Sequence, residues 1–241
     1  MESLVKLKEQ IEKYQCYNEQ EEKDKEEILR HLCESAHILT RNNKNAHFTV
    51  SAWIVNEDHR KVLMAYHNIY QSWAWLGGHA DGNADLKQVI LKEIEEESGL
   101  KDVRFVSEDI FSLEILTVAG HEKRGEYISS HLHLNVTYLL EASTEAAIRI
   151  KEDENSQIGW INVDEIKEKS TEKWFVDRIY SKLCEKVVTY EKIKIFYPVI
   201  TAISFIPTVF IYYNDSALIH SVWYLVVSAV GMGLGMLVKR V

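Results

Sequence analysis

The chain has 241 residues, enough for one domain of ordinary size and an appendage. Its formal charge of -9 is uneven: from Lys194 onward only Lys194, Asp215, Lys239 and Arg240 are charged, 3 − 1 = +2, so residues 1–193 carry −9 − 2 = −11. That acidity argues against nucleic acid as a partner, because neutralising phosphates with Lys and Arg dominates such affinity. Cys16, Cys33 and Cys184 are odd in number and show no paired spacing, which points to reduced, intracellular thiols rather than a disulfide frame or a zinc site. The first residues hold no apolar run of the kind that opens a cleaved signal peptide.

Residues 2–40 carry a helical rhythm at Leu4, Leu7, Ile11 and Tyr14 and again at Ile28, Leu29, Leu32 and Ile38. Asn18 followed by Glu21 has the spacing of a capping box that opens the second helix. The run EQEEKDKEE then reads as a solvated face with pairs at i, i+4. Phe48 to Val55 and Lys61 to Tyr66 are predicted strands, rich in β-branched and aromatic residues or alternating, and joined by a polar turn. Tyr66, Tyr70, Trp73 and Trp75 follow close together, and Trp73 and Trp75 offer either a stacking surface for a nucleobase or filling for a core.

The stretch Gly77 to Leu100, GGHADGNADLKQVILKEIEEESGL, opens on a glycine turn and continues as a helix with apolar positions at Leu86, Val89, Ile90 and Ile94. Gly99 is the residue expected just past the helix end, where φ turns positive. Glu93, Glu95, Glu96 and Glu97 crowd that helix. Like charges at this spacing repel by a few tenths of a kcal/mol per pair and lie near the negative end of the helix dipole. A divalent cation removes the conflict: Glu93, Glu96 and Glu97 share a face and offer hard oxygen ligands to magnesium or manganese, while Glu95 points elsewhere.

Beyond it, Val103 to Val118, His131 to Leu140 and Gly159 to Val163 are predicted strands, with EKRGE as a polar turn and Thr171 to Val188 as a helix. His131 and His133, two apart on a strand, share a face that looks onto a pocket or holds a packed pair. Ile195 to Tyr213 and Ala217 to Val238 carry no charge. At about 1.5 Å per residue they extend roughly 28 and 33 Å, close to the thickness of a hydrocarbon core. They are therefore expected to form a transmembrane hairpin around Asn214-Asp215-Ser216. Lys192, Lys194, Lys239 and Arg240 at its flanks place both the preceding domain and the C-terminus on the cytoplasmic side of an inner membrane. Gly231 and Gly235 have the spacing that lets helices approach closely in lipid, either closing the hairpin or building a homo-oligomer.

The acidic stretch resembles the Nudix box, in which a glycine and a glutamate precede a helix bearing Arg-Glu-aliphatic, then Glu-Glu, then Gly-aliphatic. Here the first glycine falls on Gly78, the central run on Lys92, Glu93 and Ile94, the pair on Glu96 and Glu97, and the close on Gly99 and Leu100. Two positions depart: the first glutamate is Ala84, with Asp85 beside it, and the arginine is Lys92. In the family these two brace the loop against the helix. The resemblance implies an α/β/α sandwich with a mixed sheet over residues 46–190, packed by N-terminal helices within 1–45; the membrane hairpin over 191–241 is an addition to it. It also implies a magnesium-dependent hydrolase that splits a nucleoside diphosphate linked to another moiety, with Glu93, Glu96 and Glu97 as metal ligands. Glu97 and Glu93 would share the catalytic work, and Glu154, with Glu152 close behind, would be the outlying base. Gly77, Gly78, His79, Trp73, Trp75, His131 and His133 would line the substrate. The alternative is a domain that senses a nucleotide and controls a pore-forming two-span module of the antiphage type.

Overall fold

Strand β1, Ala46–Val55, organises the molecule, which is described here from a computed structural model over residues 2–123, 125–151, 155–212 and 218–238. Helices α1, Glu2–Lys13, and α2, Glu19–Glu34, precede it. After it come β2 Lys61–His67, β3 Ser72–Ala74, β4 Leu76–His79, α3 Leu86–Ser98, β5 Arg104–Phe105, β6 Ser112–Val118, the hairpin of β7 His121–Lys123 and β8 Glu126–Ile128, β9 His131–Glu141 and β10 Asn155–Asn162. Short helices α4, Ile166–Lys169, and α5, Lys173–Phe175, lead through a π-turn at Val176–Tyr180 into α6, Ser181–Tyr212; α7 is Leu218–Val238.

Every residue of β1 is buried, so both faces of this strand are covered and its sequence reads as a near-continuous apolar run. It pairs in parallel with β9 along its whole length, Ala46 opposite Leu132 through Val55 opposite Glu141. Its other edge is shared: β4 pairs antiparallel with Thr49 to Ala52, and β2 takes over at Val55. β10 and β3 extend the sheet from β2, and β6 and β5 from β9. The result is a mixed sheet with helices, the α/β/α arrangement that the sequence predicts.

Alternation divides β1 and β9 into two faces. Phe48, Val50, Ala52 and Ile54 join Leu134, Val136, Tyr138 and Leu140 in one apolar core with Leu7, Ile11 and Ile28 from α1 and α2 and Leu86, Ile90 and Ile94 from α3. Full burial of such a side chain stabilises by about 1.5–3 kcal/mol, and these positions fix the register of both strands. The opposite face carries His47, Thr49, Ser51, His133, Asn135 and Thr137, all polar.

Asn18 caps α2 as predicted, accepting the Glu21 N–H at 3.0 Å. The run EQEEKDKEE is not wholly solvated, however. Glu21 is fully buried. Its carboxylate accepts from Tyr14 Oη at 2.5 Å, Tyr17 N at 2.8 Å and Ser112 Oγ at 2.7 Å, and it faces Lys182 Nζ at 3.0 Å. A charge run on a helix tells nothing of a buried cation more than a hundred residues away.

The described chain forms two compact units, Met1–Cys184 and Glu185–Val241. The membrane hairpin expected from the sequence is corrected here. The first uncharged run is not an element of its own; it is the distal part of α6, whose sequence opens with Lys182, Glu185, Lys186, Glu191, Lys192 and Lys194. Among the described residues no helix is long and apolar enough to cross a membrane, which overturns the inner-membrane location and leaves the lipid bilayer without support as a partner. A Cβ at Gly231 would meet nothing within 4 Å, so the helix contact expected there finds no support among the described residues. The surroundings of Gly235 lie outside what is described.

Candidate active site

Helix α3 supplies the acidic cluster because its apolar stripe and its polar face are both dictated by sequence. Leu86, Val89, Ile90 and Ile94 are buried against the sheet, which turns Glu95 and Glu96 outward and leaves Glu93 and Glu97 at the boundary. Asp85 caps the helix, its side chain accepting from Gln88 N at 3.2 Å. At the other end Gly99 sits at φ +73°, with its N–H donated to Glu95 O at 2.9 Å. A side chain there would be strained by the backbone and would also meet Arg149 Cγ at 2.7 Å.

Glu97 is buried, Glu93 half-buried and Glu96 exposed. Glu96 pairs with Lys92 at 3.3 Å along the helix, a surface contact of a few tenths of a kcal/mol. Glu95 turns to Lys101 at 3.3 Å. The glycine pair expected as a turn lies instead within strand β4 and packs directly on Glu93: a Cβ at Gly78 would stand 2.4 Å from Glu93 Cδ. A Cβ at Gly77, on the other face of β4, would stand 2.5 Å from Val50 O. Close approach to the neighbouring strand therefore requires glycine at 77, and at 78 any side chain would displace the Glu93 carboxylate.

The two departures from the box have local explanations. Ala84 is buried in the apolar core, where burying a carboxylate is costly. Lys92 is given to Glu96 rather than to the loop. The loop is instead held by Arg41, whose Nε donates to Asp81 Oδ1 at 2.9 Å, and by Asn83 Oδ1, which accepts the Asp85 N–H at 2.9 Å.

The remaining predicted residues fall into two groups away from the glutamates. Trp73 packs edge-on against Tyr66 at 5.9 Å, and Trp75 against Tyr180 at 5.6 Å and Phe175 at 6.4 Å. Each Trp is thus engaged with neighbouring rings of the fold. His79, His131 and His133 meet on the polar face of the sheet together with His47, a residue that the sequence did not single out. His47 lies opposite His133 in the β1–β9 ladder, and His79 opposite Thr49. Centroids of the His47 ring and the other three are 5.1, 4.9 and 5.0 Å apart. Burial pushes the His133 imidazole down to about 2, with the surrounding histidines adding to the effect, and burial also lowers His47. Glu154 and Glu152 lie outside the described residues.

Next to the histidines, the same face continues as a buried polar ladder. Thr49 Oγ1 and Ser51 Oγ donate to Asn135 Oδ1 at 3.0 and 2.9 Å, and Asn135 Nδ2 and Thr137 Oγ1 donate to Glu114 Oε2 at 3.1 and 2.9 Å. Lys182 Nζ closes it, 3.0 Å from both Glu114 and Glu21. Burial works against the Lys182 charge, but the Glu114 and Glu21 carboxylates outweigh it and hold the ammonium above the ordinary lysine range.

The Nudix domain model matches residues 45–183, more than half of the chain. No curated protein matches the chain. Solved structures similar to it include a C. elegans Ap4A hydrolase in a binary complex, 15% identical over 60% of this chain and 97% of its own, with a TM-score of 0.44. A Nudix-family hydrolase from Clostridium perfringens is 21% identical over 59% of this chain and 99% of its own, with a TM-score of 0.42. RenU, a Nudix hydrolase from M. smegmatis, is 14% identical over 59% and 86%, with a TM-score of 0.45. The matched segment contains the glycines of β4, the glutamate helix and the sheet, and on that match the chain belongs to the Nudix domain family.

Proposed function

We propose that this chain is a hydrolase that cleaves a nucleoside diphosphate linked to another moiety, by attack of water on phosphorus, with Mg2+ or Mn2+ held by Glu93, Glu96 and Glu97. The observation that carries the reading is the contact of Gly78 with Glu93, which leaves room for a carboxylate where any side chain would displace it. The donor set fits a hard cation: three carboxylates within five positions of one helix and no sulfur or imidazole among them. Such an ion, when bound, polarises phosphoryl oxygens and lowers the pKa of a coordinated water.

The chain's own residues do the rest. Glu93 and Glu97 extend from a helix anchored by its apolar stripe, and charge supplied from an anchored element costs less reorganisation when the phosphorus centre becomes more negative. Glu97 is the better candidate to draw the proton from the attacking water, since it is the more buried. Glu154 is proposed on sequence grounds as a second base. The experiment is a panel of nucleoside diphosphate derivatives offered to the full chain with Mg2+. Turnover by the wild type and its loss in Glu97→Gln is the expected result; turnover unchanged by Glu97→Gln contradicts the assignment.

A second reading has one observation in its favour. Ala84 puts a core methyl where the box has its first glutamate, a change that suits a domain which binds a nucleotide and does not turn it over. Tight nucleotide binding with no turnover across the panel would establish it.

A further inference from the structure

We infer that His47, His79, His131 and His133 form a second metal site, for a divalent transition ion of the zinc class, on the face of the sheet opposite α3. Strand alternation separates it from the glutamates: on β4, Gly78 faces Glu93 and the next residue, His79, faces the other side.

Three observations carry it. First, ligand atoms of His47, His79 and His133 all lie within 4.8 Å of one another. Two nitrogens bound tetrahedrally at about 2.0–2.1 Å from one ion stand about 3.3 Å apart. The Nε2 atoms of His131 and His133 are already 3.2 Å apart, and the ligand atoms of His47, His79 and His133 need to close by no more than about 1.5 Å.

Second, two of the rings already present a lone pair to the site. His47 Nδ1 is 3.1 Å from Asn43 O and His131 Nδ1 is 2.8 Å from Ser129 O. A carbonyl only accepts, so each Nδ1 carries the proton and each Nε2 presents its lone pair inward. A backbone carbonyl on the far nitrogen is the usual support of a metal-bound histidine.

Third, His47 is 4% exposed and its Nε2 is buried with no hydrogen-bond partner. Buried polar nitrogens are nearly always satisfied, and the ring that carries this one is packed among the three other imidazoles. Imidazole suits zinc, nickel and copper and is a poor ligand for magnesium, so the ion bound here differs in kind from the one proposed at the glutamates. It would tie β1, β4 and β9 together where β4 leads into the box.

The test is zinc binding by the untagged full chain, stripped with a chelator and titrated with Zn2+ in excess Mg2+. One zinc per chain is expected, and it is retained in Glu93→Gln/Glu97→Gln, a variant that removes the acidic site only. His47→Gln and His133→Gln are expected to weaken zinc by more than the about 10–100-fold that loss of an outer-shell partner costs, and zinc should raise the Tm of the wild type but not of these two. Failure of the wild type to retain zinc, or retention unchanged in folded histidine variants, overturns the inference. Should the variants not fold, Co2+ added to the wild type decides: a visible spectrum of tetrahedral nitrogen coordination supports the site, and its absence refutes it.

Discussion

Gly78 and Glu93 occupy one another's space: the glycine has no Cβ, and a Cβ there would lie 2.4 Å from Glu93 Cδ. Gly78→Ala is therefore expected to push the carboxylate off its position without opening the core. A displacement of about 1 Å at a reacting centre costs on the order of 100-fold. Nucleotide turnover by Gly78→Ala should fall by about that much while far-ultraviolet circular dichroism stays unchanged.

The C-cap of α3 sets the other end of the acid cluster. Gly99→Ala places a side chain at φ +73° and against Arg149. A non-glycine residue in such a conformation costs on the order of 1–3 kcal/mol. Denaturant unfolding of the folded variant should show a loss in that range.

Ala84→Glu would restore the family's residue and still be expected to destabilise, because position 84 is in the apolar core and Lys92 is engaged with Glu96. An unpaired buried carboxylate is strongly unfavourable. A lowered Tm is the expected outcome, and an unchanged or raised Tm would show that the loop can reopen the family's brace.

Lys182 bridges two buried carboxylates, so Lys182→Met leaves Glu21 and Glu114 together without a cation. Breaking a buried pair in this way costs about 3–5 kcal/mol. The pH dependence has a definite sign. The folded-state pKa of Lys182 is raised, so its contribution is complete below the unfolded lysine value of about 10.4. Above that pH the unfolded chain loses the proton first, and stability falls until the folded pKa is passed. Chemical denaturation across that alkaline window should show the fall in the wild type and a flatter response in Lys182→Met.

The acidic run was legible in the sequence because it is local: helical spacing alone sets where Glu93, Glu96 and Glu97 leave α3, although Glu96 turns out to Lys92, and strand spacing brings His131 and His133 together. His47 was not legible. It joins His133 only through the parallel β1–β9 register, a long-range pairing with no local signature. Glu21 misled for the same reason, since its partners Ser112 and Lys182 come from distant elements. The uncharged C-terminal runs showed the reverse weakness: apolar composition was visible, but the charged first half of α6 is continuous with the first of them.

The account rests most heavily on the three carboxylates of α3 holding a hard cation. Calorimetric titration of Mg2+ into the full chain and into Glu93→Gln/Glu97→Gln measures this without reference to any substrate. Saturable uptake by the wild type that is lost in the double variant is the predicted result; uptake that is the same in both, or absent from the wild type, would contradict it.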